Sequence, residues 1–373
     1  MSKRELVSRR RIGAGPTRRD FMRTAAGIAA GAAVGGLALP AVVRAEDKIE
    51  GELLVETFGG EYSDAVQKYV VAPFEAKYPV KVKLANFGSS SEQLAKIQAG
   101  NARVDVSWFG DSRVYLAIKS SAILPLRLEN IPNFGQQHEK FQHPAYEVGD
   151  GRNYSSAMVW GDRAIAYNSD KIATRPVSWD ALLDPQWKGR VALKGSSSAM
   201  VQIGALMTGQ DFNAIKDLDA IEKKLKALKP NLLKYWGSGS ELTQLFATGE
   251  VWIADFWRGR VNKLKEDGTP MGYVVPKEGA PSWVDCVVVP RTCANRRAAE
   301  AFIDMSLDPE VQKNFVTKGI NYAPSNVHTQ LSDAERERLG AWPAIFDSAV
   351  FVDAAYQATH IDEWNQMANR VKA

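Results

Sequence analysis

Short apolar runs alternate with segments of helical spacing along most of the chain. Within residues 62–77, Val66, Val70 and Phe74 recur at intervals of four, which is the spacing of one buried helix face. This first unit predicts strands at 51–58, 80–85 and 104–109, and helices at 62–77 and near 112–120. Strands that alternate with helices in this way indicate an α/β fold with mostly parallel sheets.

A second unit of the same kind follows the first. It predicts strands at 162–168, 191–193, 251–256, 272–275 and 283–289, and helices at 179–183, 198–207, 217–228 and 241–247. In open α/β sheets, ligands bind beyond the carboxyl ends of strands, where turns lead into helices. The candidate binding turns, which are rich in Gly, Ser and aromatic residues, are 58–62, 109–113, 195–198, 237–240 and 256–260.

The first 45 residues have the layout of an export signal. A cationic stretch with Arg18-Arg19 precedes an Ala/Gly-rich core, Ala25 to Leu39, and Val43-Arg44-Ala45 supplies small residues at positions −3 and −1. A paired arginine followed at two residues by Phe is typical of the twin-arginine signal. We expect cleavage after Ala45 and a periplasmic mature protein; an uncleaved N-terminal anchor is the alternative.

The charge of the chain is concentrated in this signal. The whole sequence carries a formal charge of +4, but residues 1–45 contain nine Lys and Arg against two acids, so the remainder is mildly acidic. The remainder also has no basic stripe of the kind that follows a phosphate backbone. Nucleic acid is therefore not an expected partner.

Residue arrangements typical of catalysis or metal binding are missing from the sequence. The four His residues are isolated, and neither a Walker loop, a Cys-x-x-Cys pair nor a Gly-x-Ser-x-Gly turn occurs. We therefore expect no enzyme activity, no cofactor and no metal site, with a secreted hydrolase as the alternative from another class. Cys286 and Cys293 flank the end of a predicted strand, and a bond between them would need an intervening turn.

Four segments carry a resemblance to a known family: Trp160–Asn168, Ser178–Val191, Pro276–Asp285 and Tyr322–Asn326. They resemble the extracellular solute-binding proteins of ABC importers, in the spermidine/putrescine-binding branch. The resemblance runs through essentially the whole mature chain. It implies a two-lobed type II periplasmic-binding-protein fold, in which each lobe is a mostly parallel sheet flanked by helices and the ligand cleft lies between the lobes.

The resemblance also implies the extent of the lobes and the nature of the site. Lobe 1 would comprise 50–157 plus 284–320, and lobe 2 would comprise 158–283 plus 321–373. Polyamine binders hold the methylene chain between aromatic walls and the ammonium groups on acids, which is favourable through cation–π and charge-assisted contacts. Trp257 and Trp283 match the aromatic walls, and Asp285 matches the ammonium-holding acid. The other expected ligand contacts lie in the candidate turns and are Phe58, Gly60, Tyr62, Asp111, Ser112, Ser197, Ser238 and Arg260.

Two positions depart from the pattern of polyamine binders. The loop Gly195-Ser196-Ser197-Ser198 has no acid, although such binders carry acids there. Arg260 stands three residues after Trp257, where diamine binders place an acid. A capped helix start together with Arg258 or Arg260 would suit a carboxylate or another anion. One end of the cleft is therefore expected to have lost its preference for a cation.

The resulting interpretation is a monomeric periplasmic receptor that captures a small, polyamine-like amine and delivers it to an ABC permease. A zwitterionic or carboxylate-bearing amine is the alternative ligand, and a sensor that signals to a membrane receptor is the alternative role.

The residues predicted to bind the ligand also have structural explanations. The tryptophans could be core residues, Asp285 could form a salt bridge, the serines could cap helices, and the arginines could form surface pairs.

Overall fold

The computed structural model describes residues 48–87, 90–101, 103–147, 150–347 and 349–373. The predicted twin-arginine signal and its cleavage site lie outside these residues. Within them, none of the helices combines the length and apolar character that a membrane span requires.

The strands are short except for two. In chain order they are β1 Gly51–Thr57, β2 Val80–Asn86, β3 Val106–Gly110, β4 Ile123–Leu124, β5 Ser155–Asn168, β6 Val191–Lys194, β7 Leu232–Trp236, β8 Ile253–Trp257, β9 Met271–Val274, β10 Pro281–Pro290, β11 Ala323–Pro324 and β12 Val350–Phe351.

The α-helices surround these strands. They are α1 Glu61–Val66, α2 Ala72–Lys77, α3 Ser90–Ala99, α4 Asp111–Lys119, α5 Glu139–Gln142, α6 Ser197–Met207, α7 Leu218–Ala227, α8 Gly239–Ala247, α9 Arg258–Glu266, α10 Arg296–Ser306, α11 Pro309–Phe315, α12 Asp333–Leu339, α13 Pro343–Asp347 and α14 Ala354–Lys372. A π-helical turn at Gln67–Val71 joins α1 to α2, and a second at Val316–Ile320 follows α11. The segment Trp179–Leu183, predicted as a short helix, is a 3-10 helix.

The sheet has the order β2-β1-β3-β10-β5-β8-β6-β7. Pairing is parallel on both flanks, where β1 lies between β2 and β3, and β6 lies between β7 and β8. In the middle, β10 is antiparallel to β3 and β5, and β5 is antiparallel to β8. The predicted α/β fold is confirmed, and the two long central strands add antiparallel pairing to its parallel flanks.

Strand β5 connects the two flanks of the sheet. Its first part, up to Asp162, pairs with β10, whereas the part from Arg163 onward pairs with β8 and β9. The sequence predicts only the second part as a strand. The charged pair Asp162-Arg163 interrupts the apolar run, but both side chains are buried and form ion pairs, with Arg258 and Asp255 respectively. Partners supplied by distant segments therefore allow one strand to continue through two charges.

The hydrophobic core is divided along β5. Two clusters, which include Trp108 and Trp160, draw on residues 53–160 and 284–354. Two others, which include Trp179 and Trp236, draw on residues 164–280 and 364–371. The lobe boundaries predicted from the sequence stay a prediction. Cys286 and Cys293 are both free.

Candidate functional site

A cavity of about 510 Å³ opens at the ends of the central strands. Turns that follow β1, β3, β6 and β8 meet there with the first half of β10, as the rule for open α/β sheets predicts. Its volume is in the range of small-molecule sites. The lining residues are Phe58, Gly59, Tyr62, Gly110, Asp111, Ser112, Arg163, Lys194, Ser196, Ser198, Ala199, Gln202, Gly239, Trp257, Arg260, Pro281, Ser282, Trp283, Val284, Asp285, Tyr322, Val352 and Gln357.

Most of the residues predicted from the sequence line this cavity, namely Phe58, Tyr62, Asp111, Ser112, Trp257, Arg260, Trp283 and Asp285. Three predicted residues do not line it. Gly60 precedes α1 with a φ of 67°, Ser197 bonds to Asn365 on α14 at 2.6 Å, and the Ser238 hydroxyl caps α8 by accepting from the Glu241 backbone N–H at 3.2 Å. Contact of any of these residues with a ligand stays a prediction.

Two carboxylates lie next to each other on one wall of the cavity. Asp111 begins α4 directly after β3, and Asp285 on β10 pairs with Gly110, the last residue of β3. The pairing of β10 with β5 shifts register after Asp285, and a bulge of this kind can redirect a side chain. Asp285 and Trp283 are half-buried, whereas Val284 and Cys286, whose side chains alternate with theirs along the strand, are buried.

Neither carboxylate forms an ion pair with any of the described residues. The Oδ1 atom of Asp111 accepts from the backbone N–H of Ser112 at 2.6 Å, but its buried Oδ2 atom has no hydrogen-bond partner in the described part of the chain. A buried carboxylate oxygen is expected to have a partner. A cationic ligand in the cavity would supply one.

The environment raises the pKa of both acids. Burial raises the pKa of Asp111 to about 6, and burial together with the charge of Asp111 raises the pKa of Asp285 to about 8. Burial and the charge of Asp285 also keep the pKa of the Tyr62 hydroxyl well above its ordinary value. At pH 7 the two carboxylates therefore hold about one proton between them.

Aromatic rings form the adjoining walls. Trp283 packs edge-on against Tyr322 at a centroid distance of 4.7 Å, and Trp257 packs edge-on against Trp236 at 5.1 Å. The indole N–H of Trp283 is buried and has no acceptor among the described residues. Trp257 also packs against core clusters on both sides of β5. The two rings are thus held in place by the core, as the aromatic walls of a ligand site must be.

Basic side chains from β5, β6 and α9 also line the cavity, and the sequence analysis missed two of them. Arg163 forms a buried ion pair with Asp255 and donates to Gln202 Oε1 at 2.8 Å. The Lys194 ammonium donates to the Gly237 carbonyl at 2.6 Å and lies 4.2 Å from the centroid of Trp236. Burial lowers the pKa of Lys194. The sequence signal for Lys194 as a cavity residue is its position at the end of a strand and before a predicted binding turn.

The two arginines considered from the sequence have different places. Arg258 is held by Asp162, with an Nε–Oδ1 distance of 3.0 Å, and does not line the cavity. Arg260 does line it and forms an ion pair with Glu61 at 3.4 Å. Of the two, only Arg260 is available to a solute.

Gly161 on β5 allows Trp283 to pack closely, since a Cβ there would lie 2.7 Å from Cζ2 of the indole ring. We expect Gly161→Ala to displace this ring and to destabilise the protein by about 1–3 kcal/mol, the usual range for overpacking. Urea unfolding monitored by tryptophan fluorescence measures this. Gly135→Ala is the control, because a Cβ at Gly135 meets nothing within 4 Å. Equal stability of the two variants would contradict the close packing.

Comparison with known proteins identifies the family. The profile described as bacterial extracellular solute-binding protein matches residues 69–344. The spermidine/putrescine-binding periplasmic protein of Escherichia coli K12 is 29% identical over 302 residues, which cover 75% of this chain and 84% of that protein.

Solved structures agree with the fold. A spermidine/putrescine ABC transporter substrate-binding protein from Streptococcus pneumoniae has a TM-score of 0.75 at 20% identity, over 87% of this chain and all of that one. The PBP AgtB from A. tumefaciens R10, in complex with agropinic acid, has a TM-score of 0.72 at 21% identity, over 86% and 99% of the two chains. The fold is that of the type II periplasmic binding proteins, and the chain belongs to the bacterial extracellular solute-binding protein family.

Proposed function

We propose that this receptor captures a small, amine-containing solute in the cavity and delivers it to an ABC permease in the cytoplasmic membrane. The observation that carries the proposal is the pair Asp111 and Asp285, two adjacent carboxylates that face the cavity and have no cationic partner among the described residues. A relative with 29% identity is named as a spermidine/putrescine-binding periplasmic protein, which supports an amine as the ligand.

The chemistry of the cavity favours an ammonium group next to these acids. A charge-assisted hydrogen bond to a carboxylate contributes about 1.5–3 kcal/mol. An ammonium over an indole face adds about 0.5–2 kcal/mol, and Trp283 lies two residues from Asp285. The rings of Trp257 and Phe58 supply apolar surface for a carbon chain.

Capture would be coupled to closure of the two lobes. Residues from both sides of β5 line the cavity, so a bound solute contacts both and shifts the population toward the closed form. That form, as a monomer, would then dock on the permease. In this role the protein binds its solute without chemical change, as the substrate-binding members of the family do.

The pH dependence of binding tests the role of the acid pair. An ammonium favours the ionised form of both carboxylates, so its binding expels the proton that Asp285 carries below pH 8. We expect the affinity for putrescine, spermidine or 4-aminobutyrate to rise between pH 6 and pH 8, by up to about tenfold per pH unit for one released proton. Calorimetric titration in two buffers of different ionisation enthalpy measures both the affinity and the proton release. An amine affinity that is independent of pH would contradict this role of the pair.

Export of the protein has a separate test. The periplasmic relatives imply export, and we propose that Arg18-Arg19 directs it through the twin-arginine route, with cleavage after Ala45. Replacing both arginines by lysine is expected to leave precursor in the cytoplasm. Fractionation followed by mass measurement of the periplasmic form checks the route and the cleavage site. A double variant with unchanged periplasmic yield would rule out this route, but not export itself.

A further inference from the structure

The charged side chains of the cavity are divided between two sides. The acids among the described lining residues are Asp111, which begins α4 directly after β3, and Asp285 on β10. The cations are Arg163, Lys194 and Arg260, which come from β5, β6 and α9. In the order of the strands, β5 lies between β10 and the pair β8 and β6. The cavity thus has an acidic side and a basic side, defined by these five residues.

Two of the three cations on the basic side already have an acidic partner. Asp255, which is fully buried, holds the guanidinium of Arg163, and Glu61 lies 3.4 Å from that of Arg260. The ammonium of Lys194 is different. It forms no ion pair with a carboxylate of the described residues, and it donates instead to the neutral carbonyl of Gly237. Lys194 is therefore the cation of the basic side that has no acidic partner among the described residues.

The acidic side carries negative charge that no cation of the described residues pairs with. Asp111 and Asp285 have no cationic partner in the described part of the chain, and at pH 7 they hold about one proton between them, because their pKa values are raised to about 6 and about 8. The two sides thus carry unpaired charge of opposite sign, which is an arrangement that complements a dipolar solute rather than a dication.

The polar groups near Lys194 are suited to an anion. Ser196 and Ser198 at the start of α6 line the cavity on this side, as does Gln202 one turn further along that helix. Backbone N–H groups at a helix start add partial positive charge. A second ammonium placed here would meet Lys194, and none of the described residues that line this side is a carboxylate that could receive it.

We propose that the solute carries one ammonium group and one carboxylate or equivalent anionic group, joined by a short apolar chain. Its ammonium lies against Asp111 and Asp285, and its anionic group lies against Lys194. The proposal rests on the proposed function and narrows it to zwitterionic amines. Trp257, whose ring centroid lies 5.4 Å from the Lys194 ammonium, and Trp283 would flank the chain.

Probes that differ only in one end group test the proposal. The full mature chain is titrated by calorimetry at pH 8 with 4-aminobutyrate and putrescine, and with 5-aminopentanoate and 1,5-diaminopentane, which form pairs of equal length. We expect the better amino acid of the two to bind at least tenfold more tightly than the diamine of its length. Lys194→Glu should reverse this preference, and Lys194→Gln should lower it at least tenfold. Lys229→Glu, which makes the same charge change at an exposed site, should leave it unchanged.

The outcomes separate this inference from the proposed function. Tighter binding of the diamines, lost in Asp285→Asn, would overturn the inference and leave the amine receptor standing. A preference for the amino acids that both Lys194 variants retain would overturn the assignment of Lys194. If none of the four probes binds in a way that depends on Asp285, both the inference and the proposed function fail.

Discussion

Asp285→Asn is expected to weaken amine binding by about 1.5–3 kcal/mol, or roughly 10- to 150-fold, and at the same time to stabilise the ligand-free protein. Binding weakens because the ammonium loses its charged partner. Stability rises because a carboxylate whose pKa is raised from 3.8 to about 8 costs free energy when it ionises in the folded state. An asparagine removes this cost.

The direction of the pKa shift of Asp285 determines how the stability of the protein depends on pH. The pKa of Asp285 is higher in the folded protein than in the unfolded chain, so the wild type loses stability as the pH rises from about 4 to about 8. Because Asp285 is partly open to the cavity, we discount the full shift and expect a gain of about 1–3 kcal/mol for Asp285→Asn at pH 8, and much less at pH 5. Urea unfolding at the two pH values measures this difference.

Asp304→Asn is a matched control for this variant. Burial also raises the pKa of Asp304, but this residue does not line the cavity and accepts from the backbone N–H of Asn133 at 2.8 Å. Its replacement should leave amine affinity unchanged. If Asp285→Asn binds amines as the wild type does, the acidic side is not the ammonium site. If Asp285→Asn is less stable than the wild type at pH 8, ionisation of Asp285 does not destabilise the folded protein.

Asp255→Asn is expected to destabilise the protein by about 3–5 kcal/mol, the usual cost of leaving one partner of a buried ion pair alone. Asp255 is fully buried and pairs with Arg163, and its Oδ1 atom also accepts from the Lys194 backbone N–H at 2.8 Å and the Trp236 indole N–H at 3.1 Å. Removing the negative charge leaves the guanidinium of Arg163 uncompensated in the core. Denaturant unfolding at pH 7 measures the loss.

A second substitution separates charge from packing. Adding Arg163→Met to Asp255→Asn removes the uncompensated cation, so we expect the double variant to recover at least about 1–2 kcal/mol of the loss. Asp150→Asn, in an exposed pair with Arg152, is the surface control and should leave the unfolding midpoint unchanged. An Asp255→Asn variant within 1 kcal/mol of the wild type would contradict the proposed role of this pair.

Local patterns were sufficient to predict most of the turns that line the cavity, and the family resemblance added Trp257 and Trp283. Trp257 ends β8, and its place in the cavity follows from the rule that the carboxyl ends of parallel strands meet at one edge of a sheet. Trp283 lies near the start of β10, which is antiparallel to its neighbours, so its amino end reaches the same edge. Asp285 could be singled out because an acid inside an apolar run needs a partner or a ligand.

The choice among neighbouring side chains could not be predicted. Ser197 was expected in the cavity, but Ser196 and Ser198 line it and Ser197 bonds to Asn365. Successive residues on a helix point about 100° apart, and only packing against α14 fixes which of the three serines faces the solute. Arg163 and Lys194 were missed for a related reason, because their partners Asp255 and Gly237 lie far away in the sequence.

Mass spectrometry of the solute retained by the protein purified from the periplasm is the most direct test of its function as an amine receptor. The intact complex is weighed under native conditions, and the small molecule released on denaturation is then identified. We predict a primary or secondary amine, present in the wild type at close to one molecule per chain and depleted from Asp285→Asn. A retained solute without an amine, or one held equally by both proteins, would contradict the assignment of Asp111 and Asp285 as the ammonium site.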